Sequence, residues 1–509
     1  MNYVSIEKED NLEGAGLGLI AKGGALILIG SLASILANFA FQFLIARLLG
    51  PAEVGNINLG ISIITLVSLV IVFGLDRAVV RYVAFYLGLS DRLHEVGVIA
   101  SVLCILAITT LIVTPLFFIS ADFLANLVFN KPDLLIILQI MGLGLPFIAL
   151  TRVLLGIAQA YKQMTPILAI DQIAVPVSRV VGLSLLVFLL GSTSSAAALS
   201  YTLAAILGCI PAVVIANRIY RQRRQPIVPK LEIGELLQYA WLAMLSIILN
   251  RTNTQTETLI LGAFSTSEQV GIYTVGLKIT IFISIILDAV SLVFTPFIAE
   301  LYAKKEMARL EHQFKTVTRW AFTLALPVAI ILFIESPDLM TLMGPGFETG
   351  LAVLRILVIA QIAYVILGPG GLMLVMTDYN RLNLFNAILN LILSLSLDIA
   401  LIPRYGAIGA AVAGAITIVF VNVLRLIQTY RVLRIHPYNK TFIKPIIAGI
   451  GTALASLVAA FWMQDIYYLW RLVIVSILAL AVFTCLILLL KLEQSDREVI
   501  RNFLRRSRL

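Results

Sequence analysis

Charge is what this sequence has least of. Asp, Glu, Lys and Arg make up 13% of its 509 residues, about half of the roughly 25% that a water-exposed surface uses. That excludes a soluble enzyme or a free nucleic-acid binder, although Lys+Arg 37 against Asp+Glu 28 leaves a formal charge of +9. Histidine numbers only 3, and His94, His312 and His436 all fall in polar connections, so none is a proton carrier in mid-membrane. Cys104, Cys209 and Cys485 are odd in number and far apart. With neither metal-ligand nor disulfide spacing, they read as small packing residues. A basic leader is also missing: residues 1–13 hold Glu7, Glu9, Asp10 and Glu13 against Lys8, and the apolar run that follows is too long for a signal peptide.

Apolar residues, by contrast, reach 60%, with a mean hydropathy of +1.01. A helix needs about 20 apolar residues to cross the hydrocarbon of a bilayer. Such runs lie at 20–46, 54–75, 95–119, 134–157, 166–190, 197–217, 236–263, 270–296, 318–335, 350–376, 383–402, 407–428, 443–463 and 467–490. The expected fold is therefore an all-α polytopic membrane protein with about fourteen transmembrane helices. An even number puts both termini on one side. Only Arg47, Lys131, Arg404 and Arg471 count with the opposite loops, and Arg179, Arg251, Lys278 and Arg355 fall well inside spans; the other lysines and arginines, Arg425 among them, lie in the loops or span ends on the terminal side. Cytoplasmic loops carry the excess of Lys and Arg, so both termini are expected in the cytoplasm of a multi-pass cell-membrane protein. Trp241 and Trp320 then fall at inner helix ends, Trp462 and Trp470 at outer ones.

The chain also repeats itself. AEVGNINLG, with Gly55 and Gly60, matches SEQVGIYTVG, with Gly271 and Gly276, at an offset of 216. Arg92-Leu93 matches Arg309-Leu310 at 217, and AYKQM with Tyr161 matches DYNRL with Tyr379 at 218. This predicts a six-helix bundle over residues 1–220, a second over 221–435, and two extra helices with a basic tail over 436–509. Parallel repeats of this kind usually enclose a site near the midplane and rock about it.

Ionised groups deep in a bilayer are costly and usually face a cavity or a partner. The seventh helix holds nine polar residues in a row, NRTNTQTET from Asn250 to Thr258. Nine residues rise about 13 Å and turn more than twice around the axis, so water is expected to reach this helix. Arg251, Asn253, Gln255 and Glu257 come from it; Lys278, at the depth of Glu257, is its expected partner, and Arg179 lies at the depth of Arg251 in the other half. Asn38 and Gln42, four residues apart, share one face of the first helix. These eight residues are the candidate substrate-binding groups: guanidinium and ammonium for a phosphate or acidic sugar, amides for hydroxyls. The competing reading is interhelical bonding, with Glu257 neutralising Lys278 or Arg251. Arg355, Asp398 and Asp171 are close enough to a surface to snorkel and read as structural. Residues 84–95 and 298–319 mix charge with apolar residues as interfacial helices do. Pro115, Pro146, Pro176, Pro211, Pro296, Pro327 and the break at Gly368-Pro369-Gly370-Gly371 mark kinks or hinges. Glycines 14 to 24 follow no strand and are not a phosphate loop.

With these residues in view, RLLGPAEVGNINLG, FGLDRAVVRYVAFYLG and TETLILGAFSTSEQVGIYTVGLK resemble the polysaccharide and oligosaccharide flippases (Wzx-type) of the multidrug/oligosaccharidyl-lipid/polysaccharide (MOP) exporter superfamily, over the whole chain in layout. The resemblance implies movement of a polyprenyl-(di)phosphate-linked oligosaccharide to the outer leaflet by alternating access, without ATP hydrolysis and without a cofactor. It implies membrane lipids as surroundings, a proton or sodium ion as coupling ion, and a glycan polymerase or ligase as partner. Members often carry an acidic residue a few positions before the LG of the seventh helix, where Glu257 precedes Leu261-Gly262. The alternative is a cation-coupled multidrug exporter of the same superfamily; such exporters typically have twelve helices and an acidic residue where this chain has Asn38 and Gln42. A membrane glycosyltransferase would need catalytic carboxylates on large outer loops, and the outer loops here are short, with scattered Asp122, Asp133, Asp338 and Asp465.

Overall fold

Helices follow the apolar runs because a bilayer leaves no water to satisfy an exposed backbone. The computed structural model describes residues 30–222 and 233–490, without the side chains of residues 222, 246 and 249–254. The glycines at 14 to 24, the basic residues Arg223, Arg224 and Lys230, and the tail beyond 490 lie outside the described residues, which contain no strand. Two compact units divide between Gly271 and Ile272.

The helices of unit 1 are α1 (Gly30–Leu49), α2 (Pro51–Val72), α3 (Leu75–Gly88), α4 (Arg92–Asp122), α5 (Asp133–Gly142), α6 (Leu145–Ala160), α7 (Val175–Leu190), α8 (Ser194–Gln222) and α9 (Ile233–Phe264). The π-helical stretches Phe123–Val128 and Ile167–Ala174 prolong α4 and precede α7. Local chemistry sets several ends: Pro51 opens α2, and the Asp91 carboxylate caps α4 by accepting from the His94 N–H. Lys131 is buried in the connection after α4, and its ammonium donates to the carbonyls of Phe129 (3.2 Å), Gly262 (2.5 Å) and Ser265 (2.8 Å). A cation thus sits on the carbonyl end of α9, where the helix dipole favours it.

Helix α10 (Ser267–Ala303) runs across the division. Unit 2 continues with α11 (Met307–Ile334), α12 (Ser336–Met343), α13 (Leu351–Leu367), α14 (Gly370–Met376), α15 (Asn380–Leu433), α16 (Ile443–Trp462) and α17 (Tyr468–Leu489). Among the described residues, eleven helices are long and apolar enough to cross a membrane, twelve with the bent pair α5 and α6. Helix α15 is 54 residues long and breaks at Gly406 (φ 56°, ψ −131°), which makes it two crossings. The 32 residues of α9 span about 48 Å; its polar run lowers its hydropathy but not its length. Fourteen crossings fit this inventory.

The two copies of the repeated motif meet inside unit 1. A Cβ on Gly55 would overlap the Ser267 carbonyl, and one on Gly271 the Pro51 carbonyl, so the starts of α2 and α10 touch backbone to backbone. The Ser267 hydroxyl donates to the Asn56 side-chain amide oxygen at 2.6 Å beside this crossing. The next repeated glycines have matching surroundings: Gly60 faces Ile137 and Met141 of α5, and Gly276 faces Val353 and Leu357 of α13. All three residue pairs differ by the same 216 positions.

Residues 298–319 correct an expectation. They are the end of α10 and the start of α11 around a short turn, not a separate interfacial helix. Ile298, Leu301, Leu310 and Phe314 bury against Met373, Leu433 and Ile435, so protein takes the place of lipid on their apolar side. Likewise, residues 84–95 are the end of α3, a turn and the start of α4, with Phe85 and Leu89 exposed.

Candidate membrane-embedded polar sites

In unit 1, Arg179 lies near the middle of the 24-residue span Ile167–Leu190. Its Nη1 donates to the Asn38 side-chain carbonyl at 3.3 Å, and the guanidinium lies 4.2 Å from the centroid of the Tyr201 ring. Asn38 in turn donates to the Ser34 carbonyl at 2.8 Å. Two residues singled out from sequence, 141 positions apart, therefore meet. Gln42, one turn along α1, is buried and its amide nitrogen has no partner; the Arg179 Nε is also buried without one. No carboxylate lies within ion-pairing distance of Arg179 among the described residues.

Of the polar run in α9, the side chains of Arg251 and Asn253 lie outside the described residues. Gln255 and Glu257 are half-buried, with buried Thr256 and Thr258 between them. Lys278, in unit 2, is exposed.

Unit 2 has a site that sequence reasoning passed over. A cavity of about 400 Å³ is lined by Asp288 of α10, Tyr364 of α13, Pro369 and Gly371 of the break, and Asn383, Asn422 and Arg425 of α15. The Tyr364 hydroxyl donates to the Asp288 carboxylate at 3.1 Å. Arg425 lies across Gly371, where a Cβ would come within 3.3 Å of its Cδ, Nε and Cζ. Its Nη1 reaches the Asn422 side-chain carbonyl only at 3.5 Å, its Nε has no partner, and no described carboxylate pairs with it. One turn farther on, Asn386 and Gln428 exchange hydrogen bonds of 2.6 and 2.9 Å and tie the two arms of α15 together. The sequence reading assigned Arg425 to a basic loop. In the structure α15 continues to Leu433 and carries it inside the bundle.

Asp398 corrects another expectation. It is fully buried and accepts from Ser394 at 3.1 Å instead of snorkelling, because helix packing around α15 leaves it no path outward. At the opposite end of unit 2 from Arg425, Arg471 forms a bidentate pair with Asp338, and the Arg355 Nε donates to Ser336 at 2.9 Å. Glu335 is buried beside this pair. Burial, then the neighbouring Asp338, pushes its carboxyl up to about 7 against the opposing pull of Arg471. No group of His, Cys, Asp and Glu able to hold a metal ion occurs among the described residues.

The arrangement joins an apolar exterior to intramembrane cations with open hydrogen-bonding capacity. The family model described as "Polysaccharide biosynthesis protein" matches residues 20–302, more than half of the chain. The chain belongs to this family. With it the chain joins the MOP superfamily that the motifs resembled, and a second model, MatE, matches residues 243–400. Among its curated relatives is "Stage V sporulation protein B" of Bacillus subtilis (strain 168), 22% identical over 457 residues, 84% of this chain and 88% of the relative. In fold the chain is similar to "Lipid II flippase MurJ, inward closed conformation", with a TM-score of 0.72 at 14% identity over 90% of this chain and 97% of the other. It is also similar to an inward-facing multidrug resistance MATE family transporter of the MOP superfamily, with a TM-score of 0.65 at 16% identity over 79% of this chain and 94% of the other.

Proposed function

We propose that this protein moves a polyprenyl-(di)phosphate-linked oligosaccharide from the cytoplasmic to the outer leaflet of the cell membrane by alternating access, with both termini in the cytoplasm. The observation that carries the reading is that each unit holds an arginine within a membrane-spanning helix, Arg179 or Arg425, with an unpartnered Nε and no carboxylate paired to it. Such a cation is costly in a bilayer unless an anion or water completes it, and phosphate is the anion that a guanidinium fits best. Amides at Asn38, Gln42, Asn383 and Asn422, and at Gln255 on α9, suit sugar hydroxyls. Arg251, Asn253, Glu257 and Lys278 remain proposed contributors from the sequence. The lipid tail stays in the bilayer, and the exposed apolar faces of α16 and α17 suit it. No bond is made or broken, so no catalytic group is required.

Asp288 favours a second reading, the cation-coupled multidrug exporter, because a carboxylate on a cavity can take a cation; in the first reading the same carboxylate is a place for a coupling proton or sodium ion. Deletion of the gene followed by lipid analysis separates the two. A glycolipid accumulating on the inner leaflet supports the flippase; unchanged glycolipids together with lost efflux of cationic dyes would replace it with the exporter.

A further inference from the structure

At the end of unit 1 where α6 stops, the chain turns within four residues. Lys162 takes a left-handed φ of 61°, its N–H donates to the Gln159 carbonyl at 2.8 Å, and the Gln163 N–H donates to the Ala158 carbonyl at 3.0 Å. The following helix then starts beside α8. Pro166 and Ala169 on one side and Ile215, Arg218 and Ile219 on the other line a crevice of about 480 Å³ with Lys162 at its mouth. Gln163 and Thr165 add polar groups to this otherwise apolar lining, and Lys162 and Arg218 are its two cations; the nearby carboxylate of Asp171 is exposed and not part of the lining.

Arg218 also ends an apolar stripe. Leu203, Leu207, Ile210 and Val214 of α8 are all exposed, and their spacing of four, three and four residues puts them on one helix face, with Arg218 four residues farther along it. A free anion would use the cations and leave the stripe idle. An amphiphile uses both.

We propose that this crevice binds an anionic phospholipid of the leaflet at that end, with its phosphate between Lys162 and Arg218 and an acyl chain along the α8 stripe. Basic pockets between membrane helices hold anionic headgroups in this way, at about 1 kcal/mol per cation near the surface. The site lies apart from Arg179 and does not depend on what the protein transports.

The test is native mass spectrometry of the full-length protein in detergent with added phosphatidylglycerol or phosphatidylcholine. The wild type should retain phosphatidylglycerol about 30-fold more strongly, and Lys162→Gln with Arg218→Gln should bring the two lipids nearly level. Leu207→Gln leaves both cations free but breaks the stripe, and should weaken retention of both lipids while keeping their ratio. An undiminished preference in the double variant, or undiminished retention of both lipids in Leu207→Gln, overturns the proposal. So does displacement of phosphatidylglycerol by equimolar inorganic phosphate, which would make the site one for a free anion.

Discussion

Gly60 and Gly276 sit in matching pockets 216 residues apart, each against two residues that are themselves 216 apart, whereas the two intramembrane arginines have no such correspondence. Positions 216 to 218 beyond Arg179 hold Leu395, Ser396 and Leu397, and the same steps back from Arg425 reach Leu207, Gly208 and Cys209. The packing at these glycines is thus repeated while the positions of Arg179 and Arg425 are not. Packing requires complementary small and large surfaces along a whole helix, so duplicated helices can reuse it. A charge needs only one cavity with room for it, and that cavity can open anywhere a helix breaks, as at Gly368-Pro369 beside Arg425.

The largest expected effect is at the motif itself. Gly55→Val or Gly271→Val places side-chain atoms against a backbone carbonyl that cannot move aside, and should remove folded protein from the membrane, as followed by detergent-solubilised yield; normal yield would mean the two motif copies do not touch. Gly60→Val and Gly276→Val meet side chains instead and should destabilise by about 1–3 kcal/mol each. Thermal unfolding should find the two losses equal within about 1 kcal/mol, and a wide disparity would break the comparison.

A smaller effect tests a feature of unit 2 alone. Glu335 has its carboxyl raised from 4.5 to about 7, so the folded state holds a proton that the unfolded state releases. Its contribution is complete below about 4.5 and is lost as pH rises through about 7. Glu335→Gln should flatten that part of the stability-pH curve. An unaltered curve would place the titration elsewhere.

Much of this was legible in the amino-acid order. Apolar runs gave the crossings, because only helices satisfy the backbone in lipid, and the glycine spacing gave the repeat. Asn38 and Arg179 were read separately as inward-facing and do meet. Arg425 was hidden by the positive-inside pattern, since an arginine near a span's end reads as a loop residue until the helix is seen to continue. Tyr364 and Asp288 each lie inside an apolar run, and nothing local indicates that they share a cavity. Asp338 and Arg471, 133 residues apart, could be paired only by tertiary packing.

Arg179 and Arg425, intramembrane cations with no described carboxylate paired to them, are proposed to serve the cargo. The most direct measurement is movement of a lipid-linked oligosaccharide across proteoliposomes containing the wild type, Arg179→Ala or Arg425→Ala at equal protein content. Each variant is expected to slow transfer at least about tenfold, the loss of one charge-assisted contact worth about 1.5–3 kcal/mol. Transfer at the wild-type rate in both variants would mean that these arginines do not carry the cargo.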